Sequence, residues 1–130
     1  IEAAFAEDQQ LLMTLANSLS KRVYAYTSAQ RLSLHLAAVF ACNFSNYCYD
    51  MAKQVVDAQK VDFSLLYPLI LETAHKATQN DPRQMQTGPA MRGDHNILKM
   101  HQDLLVAGQQ HALAEVYALM SQQILTRHQS

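Results

Sequence analysis

From Ser28 to about Gln59 the chain contains neither glycine nor proline, and Leu32, Leu36, Val39, Phe40, Tyr47, Met51 and Val55 recur along it at helical steps. That spacing predicts one long helix of roughly 45 Å at about 1.5 Å per residue. Its apolar residues spread past a single stripe, through Leu34, Ala37, Ala38, Phe44 and Cys48, so several of its sides are expected to be covered. A helix of this length and character needs neighbours, and that need governs how the remaining sequence is read.

The neighbours are also helical. "EDQQLLMTLANSL" places Leu11, Leu12, Leu15 and Leu19 on one face after Asp8, a fitting N-cap, and "RVYAYT" then alternates in the manner of a strand. Asp62 or Ser64 can cap "FSLLYPLILETAHKATQ", which Pro68 should kink or split unless it lies in the first turn. "NDPRQ" ends that segment. Asp94 can cap "HNILKMHQDLLV", and Gly108 marks a break. A last helix, "QQHALAEVYALMSQQIL", aligns Leu113, Val116, Tyr117, Met120 and Ile124. The fold class expected is all-α: a helical bundle around one long central helix, with a short helix-strand piece at its N-terminal end.

A hydrophobic content of 49% over 130 residues supports one domain with a real core. The formal charge of -1 excludes the broad positive field that gathers nucleic-acid phosphates. Cys42 and Cys48 fall about 240° apart around a helix and cannot pair with each other, which suits a reducing compartment. The longest apolar run, "LHLAAVFACNF", is far short of the roughly 20 residues that span a bilayer, so a soluble, cytoplasmic protein is expected. Ile1 in place of an initiator Met suggests a piece of something longer.

The polar residues that stand out lie in two places. On the long helix, Asn43 continues the line of Leu36, Phe40 and Tyr47, and Asn46 that of His35, Val39 and Cys42. Amides on a buried face must find partners, since an unpaired one costs roughly 1–3 kcal/mol, so Asn43 and Asn46 either hold another segment or meet a ligand. His35 lies about 20° from Asn46 in helical angle and roughly 16 Å along the axis, where it could serve as an acid or base or bond a backbone carbonyl. The second place is "QTGPAMRGDHN", which takes two of the three glycines. Thr87, Gly88, Arg92 and Asp94 there offer a hydroxyl, an approachable backbone, a guanidinium fork and a helix start, a set suited to an anion or to an ordinary connector with a surface ion pair. Glu72 and His75 have the spacing found in di-iron bundles, but no second Glu-x-x-His accompanies them and no metal site is assigned.

Taken together, "RLSLHLAAVFACNFSNYCYDMA", "LLYPLILETAHKA" and "QTGPAMRGDHNILKMH" resemble the helical C-terminal domain known as domain of unknown function 2520. In that family the domain follows a Rossmann-like one, in a layout similar to 6-phosphogluconate dehydrogenase. The resemblance implies a remnant of the Rossmann-like domain over residues 1–27 and a helical dimerisation and substrate domain over 28–130. It implies a full-length protein that binds NAD(P) mainly through an N-terminal domain, with no cofactor site in this chain, and a homodimer whose cleft is lined by Asn43, Asn46 and the Thr87–Asp94 loop around a small-molecule substrate. Related dehydrogenases carry a catalytic lysine one turn before an asparagine; the matching positions here are Val39 and Cys42, and His35 is the nearest titratable candidate. The competing expectation is a helical homodimeric interaction module without ligand or catalysis.

Overall fold

A computed structural model describes residues 1–129. The fold is all-α, with no strand among the described residues. Two compact units are distinguished, Ile1–Tyr49 and a second that begins at Asp50.

In the first unit, α1 (Ala6–Leu19) is preceded by Phe5, which offers no capping side chain. Asp8, the expected cap, lies inside the first turn, where its charge still favours the positive end of the helix dipole. The expected strand at Val23–Tyr26 does not form. The segment takes no regular secondary structure, although the Tyr24 and Tyr26 rings stack with centroids 5.5 Å apart. A strand requires a ladder, and the Tyr24 carbonyl accepts a single bond, from the Ile1 amino group at 2.6 Å.

Thr27 then opens α2 (Ser28–Ala38) with a reciprocal cap: its hydroxyl accepts from the Gln30 N–H at 3.2 Å, and Gln30 Oε1 accepts from the Thr27 N–H at 2.8 Å. The sequence "TSAQ" carries that signal, and sequence reading passed over it. Ser28 donates to Glu2 Oε2 at 2.5 Å, and Arg31 reaches the same oxygen at 2.6 Å. Together these contacts tie the beginning of the chain to the first turn of α2.

The long helix is not uniformly α. Between α2 and α3 (Ser45–Asp57) lies a π-helical segment, Val39–Phe44. The Ser45 hydroxyl donates to the Phe40 carbonyl five residues back at 3.3 Å, which is the span of a π turn, and the Phe40 and Phe44 rings meet edge to face at 5.0 Å. A π turn absorbs about one residue more than an α turn, so positions after it are shifted by roughly 100° relative to an unbroken helix. The faces expected to be covered are open as well: Leu32, Leu36 and Phe40 are 69%, 57% and 62% exposed.

In the second unit, Asp62 caps a 3-10 turn (Phe63–Leu66) through the Ser64 N–H at 2.9 Å, and α4 (Tyr67–Gln79) follows. The expected single helix is divided just ahead of Pro68 into the 3-10 turn and α4, which leaves Pro68 in the first turn of α4, where its missing N–H costs nothing. A one-turn helix, α5 (Pro89–Arg92), lies against α6 (His95–Ala107) and α7 (His111–His128). Ala90, Leu105 and Ala114, one from each, form the buried core of this unit; two of the three are small enough to let helix backbones approach closely.

Three helix ends share one device, in which the chain turns through a left-handed residue while two N–H groups bond back to the last turn. Lys60 (φ 56°) follows α3, Gly93 (φ 66°) follows α5 and Gln109 (φ 58°) follows α6. At the last of these, the Gln109 and Gln110 N–H groups reach the Val106 and Leu105 carbonyls at 3.0 and 2.9 Å. The break at Gly108 is where sequence placed it, but the left-handed conformation belongs to its neighbour Gln109.

Candidate functional site

Asp94 organises the loop of the second unit. Its N–H closes α5 by bonding the Pro89 carbonyl at 2.9 Å, and its carboxylate opens α6 by accepting from the Ile97 N–H at 3.2 Å. One residue therefore ends one helix and starts the next, which requires a sharp change of direction between them. Gly93 supplies that change. A Cβ on it would stand 3.8 Å from a Leu125 methyl, an ordinary contact, so glycine is needed there for its positive φ rather than for space. Gly88 (φ 105°) precedes Pro89 on the same grounds, with nothing near its missing Cβ.

The loop's other candidates divide. Thr87 lines a recess of about 250 Å³ with Thr73, Lys76, Met85 and Gln86. Arg92 ends α5 exposed, and the surface pair with Asp94 considered from sequence does not form; no carboxylate pairs with Arg92 among the described residues. Asp94 is half-buried and engaged in capping.

In the first unit, His35, Asn43 and Asn46 are all exposed. The expectation of buried amides does not hold in the single chain, because the helix faces that would bury them are themselves uncovered. The π segment also separates two residues that spacing had joined: His35 and Asn46, about 20° apart on an unbroken α-helix, stand roughly 80° apart once the phase shift is applied. No periodicity argument could have detected that, since "VFACNF" has no composition that distinguishes a π turn from an α turn.

Glu72 forms an i,i+4 ion pair with Lys76 at 3.0 Å, and no group of three or more potential metal-binding residues occurs among the described residues. No described helix is long and apolar enough to cross a membrane.

Comparison with known proteins decides the family. The family described as a domain of unknown function (DUF2520) matches residues 1–124. The chain belongs to this family. A crystal structure of a "putative NADP oxidoreductase" from Bacteroides fragilis is 42% identical, with a TM-score of 0.86 over 96% of this chain and 48% of that one. This DUF2520 chain thus spans about half the length of that solved relative. No curated protein matches it.

Proposed function

We propose that this chain is the helical, C-terminal substrate-binding and dimerisation half of an NAD(P)-dependent oxidoreductase, and that it is inactive without its other half. The observation that carries the reading is the match to half of the Bacteroides fragilis protein, at an identity high enough to extend beyond fold. The three glycines lie at a helix start and at two helix ends, not in the strand-to-helix turn that cradles a pyrophosphate in dinucleotide-binding domains, which supports assigning the dinucleotide to the other half. Binding of the cofactor falls to the other half of the protein.

Dimerisation rests on exposed surface. The chain presents 10372 Å² to solvent, whereas two separate globules with the masses of its two units would present about 8,300 Å² in all. The excess is of the size that an obligate dimer interface hides, roughly 1,000–2,500 Å² per partner. Leu32, Leu36 and Phe40 give that surface a hydrophobic character that a lone soluble domain rarely tolerates. Asn43, Asn46 and the Thr87–Asp94 loop are the residues proposed to meet the substrate, with His35 as the candidate acid or base.

The test uses the full-length protein. Titration with NADP should show binding, and sedimentation equilibrium should give a dimer that Phe40→Glu dissociates. A monomeric wild-type protein overturns the dimerisation half of the proposal, and a dimer indifferent to NADP overturns the enzymatic half. The second outcome favours the alternative, a homodimeric interaction module, which the occupation of the lysine-equivalent positions by Val39 and Cys42 also supports.

A further inference from the structure

Outside the residues considered so far, the second unit gathers positive charge at the end of α7. Arg83 and Arg127 line two adjoining recesses of about 450 and 430 Å³, with His128 and Gln86 in the first and Gln123 in both. Arg83 is held in place from both ends. Its backbone N–H donates to Asp81 Oδ1 at 3.0 Å in a turn stiffened by Pro82, and its Nη2 donates to the Arg127 carbonyl at 3.2 Å. That second bond satisfies one of the orphan carbonyls at the end of α7.

One Arg83 donor is thus used, and the rest of its fork remains. The Arg127 side chain has no ion pair or hydrogen bond among the described residues, and no carboxylate pairs with either guanidinium there. Asp81 is the acidic residue in the lining, and one of its oxygens already accepts from the Arg83 N–H. Two guanidinium groups, the His128 imidazole and the Gln123 amide therefore line a shared space, with one carboxylate against them. Like charges held together in this way favour an anion between them, and planar forks match the oxygens of a phosphoryl group.

We propose that this recess binds a phosphate-bearing small molecule, whose phosphoryl oxygens are held by Arg83 and Arg127 with support from His128 and Gln123. The pairing of a pre-positioned Arg83 with an uncommitted Arg127 across one recess is what assigns it. A purely structural account needs only Arg83, as the cap on α7, and leaves the Arg127 side chain without a role.

That difference supplies the experiment. Inorganic phosphate, titrated into the full-length protein at ionic strength held constant with sodium chloride, is followed by calorimetry and by melting temperature. Wild type should bind phosphate and melt higher in its presence. Arg127→Gln should melt unchanged without phosphate, because only its backbone carbonyl is used in the fold, and should bind phosphate at least ten-fold more weakly. Arg83→Gln should lose binding and also melt lower. Phosphate that stabilises no more than chloride, or binding that survives intact in Arg127→Gln, overturns the proposal.

Discussion

His101 on α6 and Tyr117 on α7 are joined by a 2.9 Å hydrogen bond from ring nitrogen to hydroxyl, with the rings edge to face at 76°. Both are half-buried, so the bond lies where water competes poorly for either group. It fixes the rotation of α7 about its axis relative to α6, because each side chain leaves its helix in one direction only. Tyr117→Phe keeps the ring contact and removes the hydroxyl, which leaves a half-buried imidazole nitrogen without its partner. The expected loss is about 1 kcal/mol. Hydrogen exchange of the α6 and α7 amides should show it as faster opening of that pair, with α1 unaffected. Unchanged protection in both helices contradicts the role assigned to the bond.

The left-handed helix ends predict changes of opposite sign. Gln109 holds φ 58° at a cost of roughly 1–2 kcal/mol that glycine does not incur, whereas Gly93 holds φ 66° freely. Gln109→Gly should therefore stabilise the second unit by about 0.5–1 kcal/mol, and Gly93→Ala should destabilise it by about 1–2 kcal/mol. Urea midpoints of the two variants against wild type check both signs at once. Since Gly93 lacks only a Cβ that would fit at 3.8 Å from Leu125, loss of stability in Gly93→Ala reports backbone strain and not a clash.

These two positions show where sequence was informative. Asp94 as a cap, Asp62 as a cap and Pro68 as the point of division were legible, because capping and proline chemistry act over three or four residues and leave local marks. Gln109 was not, because a left-handed glutamine has no sequence signal when a glycine stands beside it. The π segment was invisible too, and with it the separation of His35 from Asn46. Burial failed differently. The apolar spacing of Leu32, Leu36 and Phe40 shows that these faces are meant to be covered, but periodicity cannot say whether the cover comes from the same chain.

Acid should loosen the attachment of the chain's beginning to α2. The Ser28 hydrogen bond, aided by Arg31, holds the Glu2 carboxyl below its ordinary value of 4.5. A carboxyl depressed in the folded state contributes stability above its unfolded pKa and loses it as pH falls through the folded one. The advantage of wild type over Glu2→Gln should then be present at neutral pH and shrink as pH falls below about 4.5, reaching zero once both states are protonated. Melting temperature against pH for the two proteins measures it, and the difference should be small because the pair is exposed. A gap that widens on acidification contradicts the arrangement of Glu2, Ser28 and Arg31.

Asn46 separates a structural amide from a ligand-facing one. It is exposed on α3, and its side chain makes no hydrogen bond among the described residues. Alanine has the higher helix propensity by about 0.5 kcal/mol, so Asn46→Ala should leave the full-length protein as stable as wild type or slightly more so. If the amide serves the proposed substrate cleft, the same change should weaken binding of a small anionic ligand, because a donor and an acceptor are removed without disturbing the helix that carries them. Melting temperature and ligand affinity measured on one preparation give the answer. A fall in melting temperature with affinity intact would assign Asn46 to a contact between subunits or with the other half of the protein. A retained melting temperature with weakened affinity would place it in the cleft.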